Sequence, residues 1–322
     1  MELRQFGKTD MQVSVLGFGG AEIGFADASA QQVDELFGAA LDAGMNVVDT
    51  SAYYLGSEEK IGQALRGKRD RCLLFTKCGL RNPEPASPNP LIRAARGVSR
   101  RIAGLQKRPY TRPDWHPRLM GWQIDRSLRR LETDRIDLMQ LHSCSEEVLR
   151  QGEVIQVLQS ARQAGKVRYI GYSGDGAAAL YAIQCGHFDA LQTSINIADQ
   201  EPLELTLPLA RERGMGLIAK RPIANGVWMS KEAPESIHNI TYWKRFKQLD
   251  YDFLKAGAAF ETALRFTLSA PGVHTAIVGT TSSSHWKRNA ESAAAGPLEP
   301  LQFSAIRERW KAVAKTDWVG QM

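Results

Sequence analysis

Short apolar runs rich in β-branched residues recur along this chain at "VSVLGFGG", "MNVVDT", "CLLFTKCG", "RIDLMQLHS", "VRYIGYSG", "DALQTSIN", "GLIAKRP" and "TAIVGTT". Each reads as a strand, and each is separated from the next by enough residues for a helix. The segment between the first two, "SAQQVDELFGAALDAG", sets Val33, Leu36, Phe37, Ala40 and Leu41 on one helical face. Ser29 and Gln32 stand at capping-box spacing ahead of it, and Gly44 supplies the stop. Comparable helical spacing recurs at 57–66, 119–132, 146–164, 176–186, 203–213, 256–269, 282–294 and 300–314. The first fourteen residues, with Gly7-Lys8-Thr9-Asp10 between two short mixed runs, predict a hairpin. Eight strand and helix units in strict alternation predict an α/β fold: a (β/α)8 TIM barrel formed by a single domain over residues 1–322, with an N-terminal β-hairpin. A doubly wound open sheet is the competing architecture. No GxGxxG follows any of the strands and no Walker pattern is present, so a Rossmann nucleotide site has no support.

Two segments interrupt the alternation and are expected to be long loops over the carboxyl face of the barrel. The first, 81–118, holds seven of the 14 prolines and nine Arg or Lys residues against two acids. A solvated lid suits it better than a nucleic-acid surface, since it lacks the interleaved aromatics of a single-strand platform. The second, 230–254, carries Tyr242, Trp243, Phe246, Tyr251 and Phe253, which suit a substrate pocket or packing onto the barrel equally.

Composition narrows the class. With 322 residues, 43% hydrophobic and 24% charged, the chain is that of a folded globular protein, and its net charge of +6 suits an anionic ligand such as a phosphorylated cofactor. Cys72, Cys78, Cys144 and Cys185 form no CxxC pair and no metal-spaced cluster, so they are expected to be buried free thiols with no metal bound. "MELRQFGKTD" has no apolar signal core, and no uncharged stretch is long enough to cross a bilayer. A cytoplasmic protein without membrane or nucleic-acid partners is expected.

In a barrel of this kind the chemistry is sought at strand ends. Asp49 ends the second run, Lys77 the third and His142 the fourth, and "DTSAYYLG" puts Tyr53 and Tyr54 just past Asp49. Singly, each has an ordinary explanation as a cap, a solvated lysine or a structural histidine. Converging on one mouth, they can make a phenol work as an acid. Free tyrosine titrates near ~10, a neighbouring ammonium favours its phenolate, and an aspartate keeps that ammonium charged.

These residues resemble the aldo-keto reductase family over essentially the whole chain. Its Asp-Thr-Ala-x-x-Tyr-Gly stretch is similar to "DTSAYYLG", which makes Tyr54 the matching tyrosine and Tyr53 a packing partner or pocket wall. Lys77 in "LLFTKCG" and His142 in "IDLMQLHS" match the family lysine and histidine. "LRQFGKTDMQVSVLGFGG", "SLRRLETDRIDL" and "GKVRYIGYSG" are further matches.

The resemblance implies a nicotinamide dinucleotide and hydride transfer between it and a small-molecule aldehyde, ketone or sugar, or the corresponding alcohol. Tyr54 would be the general acid, with Lys77 depressing its pKa, Asp49 holding Lys77, and His142 orienting the carbonyl. For the cofactor it implies Gly20, Ser173, Gln192, Lys220, Arg221, Ile223, Gly279, Thr280, Ser282, His285, Arg288 and Asn289, with Ser173 and Gln192 on the carboxamide. Three positions depart from the pattern. Gly174 stands for an asparagine, Lys220 for a stacking aromatic with its charge toward the pyrophosphate, and Gly279 and His285 for the lysine and arginine of relatives that take the 2′-phosphate. Arg288 compensates there, which favours NADP(H) over NAD(H). The alternatives are a regulatory or sensor protein of the same fold that binds cofactor and turns over poorly, and a Schiff-base lyase using Lys77. Substrate identity and oligomeric state are left open.

Overall fold

The computed structural model describes residues 1–81, 112–113, 115–255 and 257–320. Leu3–Gln5 (β1) and Gln12–Ser14 (β2) pair antiparallel as the expected hairpin. The reversal uses Gly7 at φ +57, where a Cβ would lie 2.5 Å from the backbone nitrogen of Gly216.

The eight predicted strands all form. They are β3 (Leu16–Gly19), β4 (Val47–Asp49), β5 (Leu73–Cys78), then, after a two-residue ladder between Leu80–Arg81 (β6) and Arg112–Pro113 (β7), β8 (Ile136–His142), β9 (Val167–Ser173), β10 (Ala190–Ser194), β11 (Gly216–Lys220) and β12 (Thr275–Val278). They close in chain order, with β12 parallel to β3. Because side chains alternate across a strand, every second residue points into the barrel. Leu74, Met139, Leu141, Leu191 and Leu217 face outward into the main core between barrel and helices. Val47, Phe75, Leu138, Ala190 and Ile218 face inward and pack with Phe6, Met11 and Val13 of the hairpin region, which seals the amino end. The Phe6 and Phe75 ring centroids are 5.6 Å apart.

The helices follow the predicted spacing, with three differences. Ala30–Asp42 carries the expected capping box: the Ser29 hydroxyl accepts from the Gln32 amide, and the Gln32 side chain accepts from the Ser29 amide at 2.9 Å. Removing that cap with Ser29→Ala is expected to lower unfolding free energy by about 1 kcal/mol, read by urea denaturation. The segment 146–164 is two helices, Glu146–Gln151 and Glu153–Gln163, because Gly152 at φ +81 ends one and starts the next. The segment 203–213 likewise divides into Pro202–Leu205 and Leu207–Glu212, where Pro208 in the first turn of the second helix has no N–H to continue the first.

The third difference corrects an expectation. The segment 230–254 is largely helix, Ile237–Leu249, and not a loop. Tyr242, Phe246 and Leu249 fall at helical spacing and are buried in a second core with Ile197, Phe266 and Trp310, so they pack onto the barrel. The helix is hard to read because Ile, Thr, Tyr, Trp and Phe all have modest helix propensity. A short helix at Ala21–Phe25, after β3, is additional. Most of the basic, proline-rich 81–118 segment lies outside the described residues. Cys72, Cys78 and Cys144 are buried free thiols, while Cys185 is only partly buried. No helix among the described residues is long and apolar enough to cross a membrane.

Candidate active site

Above the apolar layer sealed by the hairpin, the inward positions turn polar. Two residues beyond Val47, Phe75, Leu138 and Ala190 on their strands stand Asp49, Lys77, Gln140 and Gln192, all nearly fully buried. The period of two that makes the lower layer apolar thus places these four at one level. Lys77 Nζ pairs with Asp49 Oδ1 and donates to the Thr50 carbonyl at 2.9 Å. Asp49 Oδ2 accepts from Gln192 Nε2 at 3.1 Å and Gln140 Nε2 at 3.3 Å. Burial pushes the Asp49 carboxyl up against these partners. Burial also works against the Lys77 charge, but Asp49 and the Tyr54 hydroxyl outweigh it and hold the ammonium's pKa above the ordinary value. Both are the behaviour of a buried pair whose charges depend on each other.

Tyr54 follows β4 in the turn before the helix Ser57–Ala64. Its ring centroid is 5.4 Å from Lys77 Nζ, so the ammonium bears directly on the phenol. Burial raises the phenol's pKa; Lys77 and Arg221 pull it down without reversing the shift. The expected depression by Lys77 is therefore present as a contribution, and the net direction is upward. His142, at the end of β8, is held well below its usual pKa, first by burial and then by the Lys77, Lys220 and Arg221 charges, so its imidazole is neutral. Its ring lies 5.9 Å from Tyr54 and 6.0 Å from Tyr53, and Phe25 stands 5.6 and 5.9 Å from the same two tyrosines. Tyr53 thus packs edge-on against the rings of Tyr54, His142 and Phe25.

The residues expected to hold a cofactor fall along one arc of the rim, from β9 to β3. Ser173 Oγ donates to Gln192 Oε1 at 2.7 Å, so the pair is already oriented. Next along the rim, Lys220 does not stand free toward a phosphate: its ammonium pairs with Asp175 at 2.8 Å. Asp175 also accepts from the Ser194 amide at 2.7 Å and Thr193 Oγ1 at 2.8 Å, and its pKa is lowered despite burial by Lys220 and the Ser194 amide. Arg221, at φ +53, donates to Ser194 Oγ at 3.1 Å. It opens a turn through Ile223 in which Ala224 and Asn225 are also left-handed, backbone states that such residues occupy only when surroundings hold them.

Past β12, Gly279 is exposed, and Thr280 Oγ1 accepts from the Ser282 amide at 3.1 Å. Ser282 caps the helix Ser283–Ala294 by accepting from the His285 amide at 3.4 Å. His285 and Arg288 are exposed there, and Asn289 is partly buried. A helix start with free amides and a nearby guanidinium suits an anion. Gly20 ends the arc on the β3 side, donating its amide to the Asp49 carbonyl at 2.7 Å.

The structure adds residues that the sequence did not single out. Gln140 and Thr50 complete the shell of the Asp49–Lys77 pair, Asp175 holds Lys220, and Ser51 touches His142. Gln140 was detectable as the inward residue one step below His142 on β8. Asp175 was visible as the buried-position acid directly after the departing Gly174. The tail also reaches this region: Arg245, paired with buried Asp199, donates to the Val319 carbonyl at 2.8 Å and stacks over Trp318 at 5.2 Å, and Gly320 lies against Asp175.

A closed barrel with a buried aspartate–lysine pair, a tyrosine and a neutral histidine at its carboxyl end defines a (β/α)8 enzyme. The family model for the Aldo/keto reductase family matches residues 15–311, and the chain belongs to that family of NAD(P)-dependent oxidoreductases. An aldo-keto reductase of Bacillus halodurans, solved in its holo form, superposes with a TM-score of 0.80 at 26% identity over 99% of each chain. L-galactose dehydrogenase of Arabidopsis thaliana is 27% identical over 94% of this chain and 90% of its own length. The NADH-specific methylglyoxal reductase of Escherichia coli is 28% identical over 69% of this chain and 67% of its own.

Proposed function

We propose that this chain transfers hydride between a nicotinamide dinucleotide and a small-molecule carbonyl or its alcohol, with Tyr54 as the general acid. The observation that carries this reading is the Lys77 ammonium, paired with Asp49 on one side and set 5.4 Å from the centre of the Tyr54 ring on the other. When bound, reduced nicotinamide supplies the hydride. Ser173 and Gln192 would hold its carboxamide and fix which ring face meets the substrate. Tyr54 gives its phenolic proton to the carbonyl oxygen as charge develops there, and the adjacent ammonium stabilises the phenolate left behind. His142, neutral, donates a hydrogen bond to the same oxygen without competing as an acid. A Schiff-base role for Lys77 is disfavoured, because that chemistry needs a neutral amine and this one is held charged.

For the far end of the cofactor, the start of the helix Ser283–Ala294 with Ser282 and Arg288 favours a 2′-phosphate, hence NADP(H) ahead of NAD(H). The test is consumption of NADPH and, separately, NADH against aldehydes, ketones and sugars, with L-galactose and methylglyoxal in the panel because two relatives are named for them. Arg288→Ala is expected to raise KM for NADPH about tenfold, the scale of one charge-assisted contact, and to leave KM for NADH in place. Equal effects on both cofactors would remove Arg288 from the 2′-phosphate. Absence of turnover with every substrate in either direction would remove the reductase reading.

A further inference from the structure

His142 can donate to a carbonyl only if its ring proton sits on the nitrogen facing the mouth, and the structure shows what puts it there. Ser51 lies two residues past the end of β4 and is 1% exposed. Among the described residues its Oγ has two partners: it accepts the Tyr53 amide at 3.1 Å, and it lies 3.0 Å from His142 Nδ1. The amide has no choice but to donate. Among the described residues the hydroxyl proton then has one acceptor, the ring nitrogen. A neutral imidazole has one donor and one acceptor, so a hydroxyl donating to Nδ1 leaves the proton on Nε2. Nε2 makes no hydrogen bond to any described residue and is the nitrogen left for a ligand.

The surroundings keep the ring in this neutral form. Lys77 on β5 and Lys220 and Arg221 at the end of β11 are the charged groups that bear on it, and the Tyr53 and Tyr54 rings cover its faces edge-on. All three charges are cationic and disfavour a second ring proton. Burial and these three cations therefore set the charge of His142, but none of them chooses between its two nitrogens.

We propose that Ser51 is a positioning residue of the active site: anchored by the Tyr53 amide, it fixes His142 as the Nε2–H tautomer and aims that donor at the substrate carbonyl. Ser51 reaches neither substrate nor cofactor itself. It acts through one hydrogen bond, and that bond ties the turn carrying Tyr54 to the strand end carrying His142, so the acid and the carbonyl donor are held in register with each other. The inference rests on His142 acting on the carbonyl oxygen, and its first readout is independent of turnover.

The experiment compares wild type with Ser51→Ala and Ser51→Thr. Nitrogen-15 spectra of the histidine ring in the cofactor-free protein are expected to show, for His142, a protonated Nε2 and an acceptor-type Nδ1. In Ser51→Ala both resonances move toward averaged values as the tautomer and ring orientation are released. Steady-state kinetics should show kcat for carbonyl reduction falling about five- to tenfold in Ser51→Ala, the scale of one neutral hydrogen bond, with the dissociation constant of NADPH unchanged and most of the rate restored in Ser51→Thr. A wild-type spectrum with the proton on Nδ1 overturns the proposal, as does an unchanged kcat in Ser51→Ala. Equal losses in the Ala and Thr variants, with unaltered ring spectra, overturn it in favour of simple packing. If the wild type reduces no carbonyl at all, it is the functional reading that fails, and the ring spectrum still reports on the tautomer.

Discussion

Tyr54→Phe is expected to lower kcat for carbonyl reduction by about 10²- to 10⁴-fold, the range over which a positioned acid acts, while NADPH binding is retained. The substitution removes one oxygen from a ring wedged between Phe25, Tyr53 and His142, so the edge-on packing survives and the loss reports on the hydroxyl. Rapid mixing under single-turnover conditions separates the chemical step from cofactor release. The pH profile follows from the direction of the shift. An acid works protonated, and burial holds the Tyr54 phenol above its usual value. Reduction by the wild type should therefore run level through neutral pH and fall only once pH rises above about 10, where an ordinary tyrosine ionises. A falling limb centred near neutrality would count against Tyr54 as the acid.

The second large effect is on stability. Lys77→Met leaves the Asp49 carboxylate buried with only the Gln140 and Gln192 amides, and a buried ion pair that loses one partner costs about 3–5 kcal/mol. Without Lys77 the Asp49 carboxyl, already raised by burial, rises further, so the folded protein binds a proton there that the unfolded chain releases. The penalty is then absent below the unfolded carboxylate pKa, grows as pH rises and is complete only above the raised folded pKa, so the variant should gain stability relative to wild type as pH is lowered from neutral. Denaturant titrations at several pH values measure this. Adding Asp49→Asn to Lys77→Met removes the stranded charge and should return most of the stability, with no return of turnover. If the double variant were as unstable as the single one, the loss would be one of packing.

The extent to which the sequence reveals this molecule follows from how each feature is written in it. The eight strands are legible because each is a short β-branched run of its own, and the alternation of inward residues carries Asp49, Lys77 and His142 to one end of the barrel. Motif resemblance separates Tyr54 from Tyr53, and the structure sets Tyr54 against Lys77. The helix Ile237–Leu249 escaped because its buried stripe, Tyr242, Phe246 and Leu249, is diluted by residues with little helical preference of their own. The Lys220–Asp175 pair escaped for a different reason. It joins residues 45 positions apart at the ends of β9 and β11, which flank β10, and nothing local to either announces the other. Ser51 was in plain view inside "DTSAYYLG", yet its contact with a ring 91 residues away exists only once the barrel is closed.

The hairpin packed under the barrel turns a tube into a cup. With Phe6, Met11 and Val13 filling the base, the polar layer has a floor and is reached from the carboxyl end of the strands. If the proposed reaction holds, cofactor and substrate share that one approach, and the expected order is that the one seated deeper binds first and leaves last. The pace of such a vessel is set at the door as much as at the reacting atoms.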